Sequence, residues 1–259
     1  MNNELIVERR GPVAWLTVNR PEVRNALSLE ITQRLAQTVR DLSRERTLRV
    51  FVLTGAGDRV FVSGADVREF REHLATPESA LSYDAVAEQL QSALREAPQP
   101  VIAMIQGHAV GSGTIVAASC DFRIAVSTAK FGIPVAKFGF LAPVPDTLRL
   151  VQLVGPAKAK WLLMTGELIK AQEAQAIGLI DQVVEPEELK AKVDALAATL
   201  AANAPLTIKA TKQIVETMTA PSATVASGAP WYAEIFRSQD FKRGLDAFFN
   251  KDKPHFTGE

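Results

Sequence analysis

Residues 100–121, PVIAMIQGHAVGSGTIVAASCD, decide how the rest of this chain is read. Residues 101–105 form a short apolar run after a proline, a pattern typical of a buried strand. The sequence GSG at 111–113 follows, and the small residues 114–118 favour a closely packed helix. The stretch therefore predicts a strand, a glycine turn and a helix.

The turn at 111–113 offers main-chain hydrogen-bond donors. The first N–H groups of a helix lack intrahelical partners, and the helix dipole adds partial positive charge there. Gly111 has no Cβ, so a ligand can approach closely, and the Ser112 amide lies between two glycines. An anion or a polarised carbonyl oxygen would be stabilised at such a turn. Taken alone, however, the turn favours the simpler role of tight helix–strand packing.

A second unit of the same kind precedes this one. Residues 60–62 form a short apolar run that ends at SGAD (63–66), and residues 67–73 have helical spacing. Further upstream, residues 5–7 and 13–18 resemble a hairpin, and Ser28 is the expected N-cap of a helix over 29–44. Short strands that alternate with helices predict an α/β fold with a parallel, helix-covered sheet or spiral.

The later segments are mainly helical. Residues 76–96 place Leu81, Val86, Leu90 and Leu94 at helical spacing, between charge-rich ends that are typical of a mobile surface segment. Strand-like runs follow at 122–126 and 129–135, and helices are predicted from Asp146 and over 158–164. Helices are also predicted over 186–203, 205–218 and 229–249, and no strand is predicted after about residue 200.

The composition is that of an ordinary soluble protein, with 47% hydrophobic and 22% charged residues in 259. Lys plus Arg and Asp plus Glu each number 29, which predicts neither nucleic acid nor a membrane surface as partner. The single cysteine, Cys120, excludes an internal disulfide framework, and the charged N-terminus does not resemble a signal peptide. We therefore expect a cytoplasmic protein, and no His, Asp or Glu cluster has metal-ligand spacing.

Several segments together resemble the crotonase, or enoyl-CoA hydratase/isomerase, superfamily. The similarity covers nearly the whole chain in the family's order, which makes it far more specific than either glycine turn. The matching segments are NRPEVRNALS (19–28), VFVLTGAGDRVFVSGADV (50–67), PVIAMIQGHAVGSGTIVAASCDFRIA (100–125), LVGPAKAKWLLMTGELIKAQEAQAIGLIDQVV (153–184) and FKRGLDAFFNKDKPHF (241–256).

The resemblance implies a ββα spiral followed by a helical region that mediates oligomerisation. On this basis residues 1–200 form the spiral core with an acyl-CoA cleft, and residues 201–259 form the C-terminal helical region. Members of the family usually assemble as homotrimers or dimers of trimers. The implied partner is an acyl-CoA thioester, with no cofactor beyond the coenzyme A that is part of this substrate.

The resemblance also implies the site. In this family two backbone N–H groups stabilise the enolate-like anion of the thioester, and by motif position these are the amides of Ala65 and Ser112. The segments that carry them also supply the implied substrate contacts. These contacts are Arg24, Ala26, Leu27, Ser63, Gly64, Asp66, Val67, Gly111, Ile115 and Val135, together with Phe248 and Lys251 from the C-terminal region.

The chain departs from the family pattern at the proton-transfer positions. Hydratases of the family use two glutamates, and the matching residues here are Ile115 and Val135, which cannot transfer protons. Asp146 is the nearest ionisable candidate, although a helix cap is the favoured role for an aspartate in Pro145-Asp146-Thr147. We therefore predict an isomerase, decarboxylase or lyase rather than an ordinary hydratase. The alternative is a noncatalytic acyl-CoA binding protein on the same fold.

Overall fold

A computed structural model defines residues 4–73, 76–139, 141–217 and 237–259. Its larger sheet is parallel except at one edge, where the predicted hairpin pairs antiparallel. In spatial order the six strands are β1 (Leu5–Arg10), β2 (Val13–Val18), β3 (Val50–Gly55), β5 (Val101–Ile105), β7 (Phe122–Val126) and β10 (Gln182–Val184).

A second sheet of four short strands lies beside the first. In spatial order these strands are β4 (Val60–Val62), β6 (His108–Val110), β8 (Lys130–Gly132) and β9 (Ile169–Lys170). Three of them follow within a few residues of a strand in the larger sheet, which produces the repeated ββα unit. The strand β6 was not predicted, and the strand predicted over 129–135 is shorter because Pro134–Phe138 forms a 3₁₀ helix.

Helices cover and extend the two sheets. They are α1 (Leu29–Leu42), α2 (Phe70–His73), α3 (Pro77–Glu96), α4 (Ser112–Ala118), α5 (Val144–Thr165), α6 (Ala171–Ala176), α7 (Leu189–Ala202), α8 (Pro205–Thr217) and α9 (Gln239–Asn250). Within α5, Gly155 has a non-helical backbone (φ 74°), so two helical segments meet there, as predicted. The predicted helix over 229–249 begins outside the described residues.

The core lies between α1, α3 and the large sheet. The apolar face of α1 is buried, and the Ser28 hydroxyl accepts a hydrogen bond from the Ile31 amide at 3.3 Å, which confirms the predicted cap. The helical spacing predicted over 76–96 is confirmed, because α3 is one 20-residue helix packed along α1, while the predicted mobility of this segment stays a prediction. Its Leu90 and Leu94 are buried, whereas Leu81 is exposed.

The C-terminal helices pack against this core. α7 lies on β3, β5 and β7, and α8 is attached through Lys212. The Lys212 ammonium lies 2.7 Å from an Asp121 carboxylate oxygen and donates to the Leu94 carbonyl at 2.8 Å. Residues 201–217 and 237–259 contain no strand, as predicted, while the domain boundary at residue 200 stays a prediction. No helix of the described ranges is long and apolar enough to cross a bilayer.

Candidate functional site

The two glycine turns meet at the site. A Cβ placed on Gly64 would lie 3.8 Å from the Ser112 nitrogen and 3.2 Å from the Val110 carbonyl oxygen. A Cβ on Gly113 would lie only 2.0 Å from the Val62 carbonyl oxygen. Glycine at these positions therefore lets the start of α4 approach the end of β4. The structure thus brings together two turns that are almost fifty residues apart in the chain.

The segment at 24–27 runs beside the first of these turns. The Leu27 amide donates to the Gly64 carbonyl at 2.8 Å, and the Asp66 amide donates to the Leu27 carbonyl at 2.9 Å. Leu27 and Ala65 thus form a parallel bridge, in which the backbone of Leu27 bonds to the Gly64 carbonyl and the Asp66 amide, and not to Ala65 itself. The Ala65 amide consequently points away from Leu27.

Ser112 supplies the second amide. It is the first residue of α4, so its N–H has no partner inside the helix. The preceding Gly111 has φ 55° and donates its own N–H to the Gly132 carbonyl at 2.8 Å. This backbone geometry holds the turn in place while the next amide stays at the surface of the pocket.

Ala65 and Ser112 line one pocket, which α1, α3 and α4 enclose. Its free volume, including the mouth that opens to solvent, is about 370 Å³. The walls are mostly apolar, with two hydroxyls, one phenol and one side-chain amide among them. The lining residues are Leu27, Leu29, Thr32, Ala65, Tyr83, Val86, Ala87, Leu90, Gln91, Ser112 and Val116.

An ion-pair network braces the turn that carries Ala65. The Asp66 carboxylate is buried and accepts hydrogen bonds from Arg68 at 2.8 Å and from Arg20 at 3.1 Å. These bonds, chiefly those from Arg68, lower the pKa of Asp66 to about 2. Arg20 also donates to the Ala26 carbonyl at 2.6 Å, which ties the two chain segments together. The Asp66 side chain therefore braces the turn, and its predicted contact with substrate stays a prediction.

Asp146 lies next to the pocket and has an unusual pKa. It is 8% exposed, and burial raises its pKa to about 6, a shift that the nearby carboxylates of Asp84 and Glu88 increase. A hydrogen bond from Gln91, which lines the pocket, opposes this shift. Asp146 thus contacts the pocket through Gln91, as a carboxyl group able to gain or lose a proton near neutral pH.

The alternative role of Asp146 as a helix cap is wrong. The N-cap of α5 is Pro143, and no side chain caps this helix end. Asp146 is the third residue of the helix, where a capping-box side chain would need the N–H of the N-cap residue. Proline has no such N–H, so the reciprocal bond cannot form.

The other residues predicted to contact substrate occupy varied positions. Among them, Ile115 is 2% exposed and belongs to the hydrophobic core, and Val135 is partly buried and packs against that core. Neither residue lines the pocket described above. Ala26 is buried, Ser63 is half-buried, and Arg24, Val67 and Lys251 are exposed. The backbone of Phe248 lies in α9, and its side chain is outside the described part of the structure. Whether these residues contact substrate stays a prediction.

The predicted site residues include none of the five pocket residues on α3, of which Tyr83 and Gln91 are the polar ones. The Tyr83 ring stacks on His73 with 5.6 Å between ring centroids, and burial raises the pKa of its hydroxyl. A signal was present in the sequence, because Tyr83, Ala87, Leu90 and Gln91 fall on one face at helical spacing. A polar side chain on an otherwise apolar helix face can line a buried pocket as well as face solvent. Elsewhere in the described ranges, no group of three or more His, Cys, Asp or Glu side chains could hold a metal ion.

The chain is similar to known proteins over nearly its whole length. Residues 8–259 match a family model described as enoyl-CoA hydratase/isomerase. The chain is 35% identical to a short-chain-enoyl-CoA hydratase of Clostridium acetobutylicum, over 97% of this chain and 96% of that protein. It is also 35% identical to a crotonyl-CoA hydratase of Syntrophomonas wolfei, over 98% of each.

Solved structures are equally similar. The crystal structure of an enoyl-CoA hydratase/carnithine racemase from Magnetospirillum magneticum matches with a TM-score of 0.95 and 35% identity, over 100% of this chain and 97% of that one. An enoyl-CoA hydratase from Bacillus anthracis matches with a TM-score of 0.91 and 30% identity, over 99% of this chain and all of that one.

Proposed function

Because this chain belongs to the enoyl-CoA hydratase/isomerase family, we propose that it transforms an acyl-CoA thioester through an enolate held by the amides of Ala65 and Ser112. The observation that carries this proposal is that both residues line one pocket. A thioester enolate concentrates negative charge on one oxygen, and two fixed donors meet it without the reorganisation that water requires. Losing one such donor typically costs about 3 kcal/mol of transition-state stabilisation.

The proposed reaction is an isomerisation, decarboxylation or C–C cleavage rather than ordinary hydration. Hydration needs one group to activate water and one to deliver a proton to the α-carbon. The residues at the two family positions for this work are Ile115 and Val135, which carry no ionisable group. An enolate-forming reaction with one proton-transfer group fits these residues better.

Asp146 is proposed as that group. A carboxyl with a pKa near 6 is partly ionised near neutral pH, so it can act as a base in one step and as an acid in the next. Since Asp146 contacts the pocket through Gln91, the proposed proton transfer passes through one bound water. On this basis the rate should rise with pH through about 6, as the base form of Asp146 accumulates.

The test is incubation in D₂O with a panel of saturated, enoyl and malonyl-type CoA thioesters, read by mass spectrometry. It detects hydrogen exchange, hydration and decarboxylation by mass, and exchange labels the products of isomerisation. Activity that disappears in Asp146→Asn and persists in Asp84→Asn would support the assignment. Turnover that survives in Asp146→Asn would remove Asp146 from the mechanism.

One observation favours a second candidate function, a noncatalytic acyl-CoA binding protein. Ile115 and Val135 are packed apolar residues where hydratases of this family place acids, so the fold could retain the cleft without the chemistry. Saturable binding of CoA thioesters, with no turnover of any member of the panel, would favour this candidate.

Three further expectations belong to the proposal. The protein should be cytoplasmic, should need no cofactor beyond the coenzyme A of its substrate, and should assemble as a homotrimer or a dimer of trimers. Sedimentation equilibrium distinguishes these assemblies by mass. Activity that survives dialysis against a chelator would support the absence of a metal from the reaction.

A further inference from the structure

One side chain in the pocket has an unused acceptor. Gln91 is 3% exposed, and its Oε1 has no hydrogen-bond partner among the described residues. The amide group of the same side chain interacts with Asp146. A buried polar atom without a partner is destabilising, so an unpaired acceptor on a side chain that lines a pocket points to a donor that arrives with the ligand.

The surroundings of Gln91 strengthen this reading. The neighbouring pocket walls are the apolar side chains of Val86, Leu90 and Val116, which offer no donor to Oε1. The pocket also carries the hydroxyls of Thr32, Tyr83 and Ser112, none of which donates to Oε1. The Thr32 hydroxyl instead donates to the Ser28 carbonyl at 2.8 Å. An acyl chain made of carbon and hydrogen would fill this space and leave the Gln91 oxygen unpaired.

We propose that this pocket selects an acyl group that carries a hydrogen-bond donor, such as a hydroxyl, which donates to Gln91 Oε1. This inference rests on the proposed function, because it names the substrate class of the same site. It goes further by distinguishing functionalised acyl groups from plain alkyl chains. The discrimination should be large, since a site built to pair a substrate hydroxyl rejects the analogue that lacks it.

The experiment compares matched ligands that differ only in the donor. The probes are saturated butyryl-, hexanoyl- and octanoyl-CoA, each with a terminal methyl, hydroxyl or methoxy group. Binding is measured calorimetrically at pH 8, above the Asp146 pKa, so that Asp146 cannot supply the proton. For at least one chain length, the hydroxyl compound should bind about ten- to a hundredfold more tightly than the other two. The methoxy compound can accept but cannot donate, so its weak binding would identify the donor as the cause.

Variants then assign the effect to Gln91. In Gln91→Leu the hydroxyl-to-methyl affinity ratio should fall to about one, whereas the matched control Thr32→Val should keep it. The ratio cancels any general effect of the substitution on folding or on Asp146. Equal affinity of the wild-type protein for all three end groups would overturn the inference even if Gln91→Leu failed to fold. A ratio that collapses in Thr32→Val and survives in Gln91→Leu would also overturn it.

The outcomes separate this inference from the proposed function. Preference for the hydroxyl compound without turnover of any enoyl or malonyl thioester would uphold the inference and contradict the proposed catalysis. Turnover without any preference among the three end groups would support the proposed catalysis and contradict the inference about Gln91.

Discussion

Replacing Asp146 by asparagine should make the protein more stable at neutral pH while it removes the proposed activity. Asp146 is buried, and its pKa is raised from 3.8 to about 6, first of all by desolvation. The fold therefore tolerates the carboxylate only at a cost. Asparagine has nearly the same shape, keeps an acceptor for Gln91 and carries no charge.

The size of the effect follows from the pKa. The difference between about 6 and 3.8 is about 2 pKa units, and each unit is worth about 1.36 kcal/mol, so the ionised group costs up to about 3 kcal/mol. Because the folded-state pKa is the higher one, the folded protein binds the proton more tightly, and its stability falls as pH rises from about 4 to 6. Below about pH 4 Asp146 is protonated in both the folded and the unfolded protein, and above about pH 6 the full cost of burying its ionised form lowers the stability.

The assay is urea-induced unfolding of the wild-type protein and the variant at fixed protein concentration, at pH 5 and pH 8. The free energy of unfolding of Asp146→Asn should exceed that of the wild type by about 1.5 kcal/mol at pH 5 and by about 3 kcal/mol at pH 8. Asp58→Asn, in an exposed turn, serves as the control and should change little at either pH. A variant no more stable than the wild type at pH 8, or a difference that does not grow with pH, would refute the reasoning.

Three other predictions concern a glycine turn, an ion pair and a buried thiol. Gly64→Ala should lower stability by about 1–3 kcal/mol and lower the proposed activity, because φ is +118° and the pocket turn is crowded. The control Gly57→Ala, with φ +81° and open space around it, measures the backbone strain alone. An equal loss of activity in the control would argue against the crowding. Lys212→Met should lower the free energy of unfolding in urea by about 3 kcal/mol, the low end for a buried ion pair, because Lys212 is buried and Asp121 is only partly buried. Adding Asp121→Asn should recover part of this loss. Burial raises the pKa of the Cys120 thiol to about 12, so a thiol reagent should label it only after unfolding; rapid labelling of the native protein would contradict this.

Much of the local structure was accessible from the sequence because it depends on neighbouring residues. The Ser28 cap and the apolar face of α1 follow from one side chain and a 3.6-residue spacing. The hairpin of β1 and β2 and the start of α4 follow in the same way from alternation and from a glycine turn. In contrast, the short strand β6 carries too few residues to show a period, and only its pairing with β4 and β8 defines it.

The candidate site, too, was predicted in part from the sequence and in part was not. The family resemblance identified the turns of Ala65 and Ser112 and the apolar replacements at Ile115 and Val135. It left the role of Asp146 open, and the helix-cap interpretation was wrong because the identity of the N-cap residue depends on where α5 begins.

The sequence by itself determined most of the longer elements, the glycine turns and the family of this protein, since each depends on residue types at fixed spacing along the chain. Only the tertiary structure decided that the two turns share a pocket and that Gln91 and Asp146 lie beside it. The physical reason is that the pKa of a carboxyl and the pairing of an amide depend on desolvation and contacts from several elements. Here those elements are α3 and α5, which are far apart in the chain and adjacent in the fold.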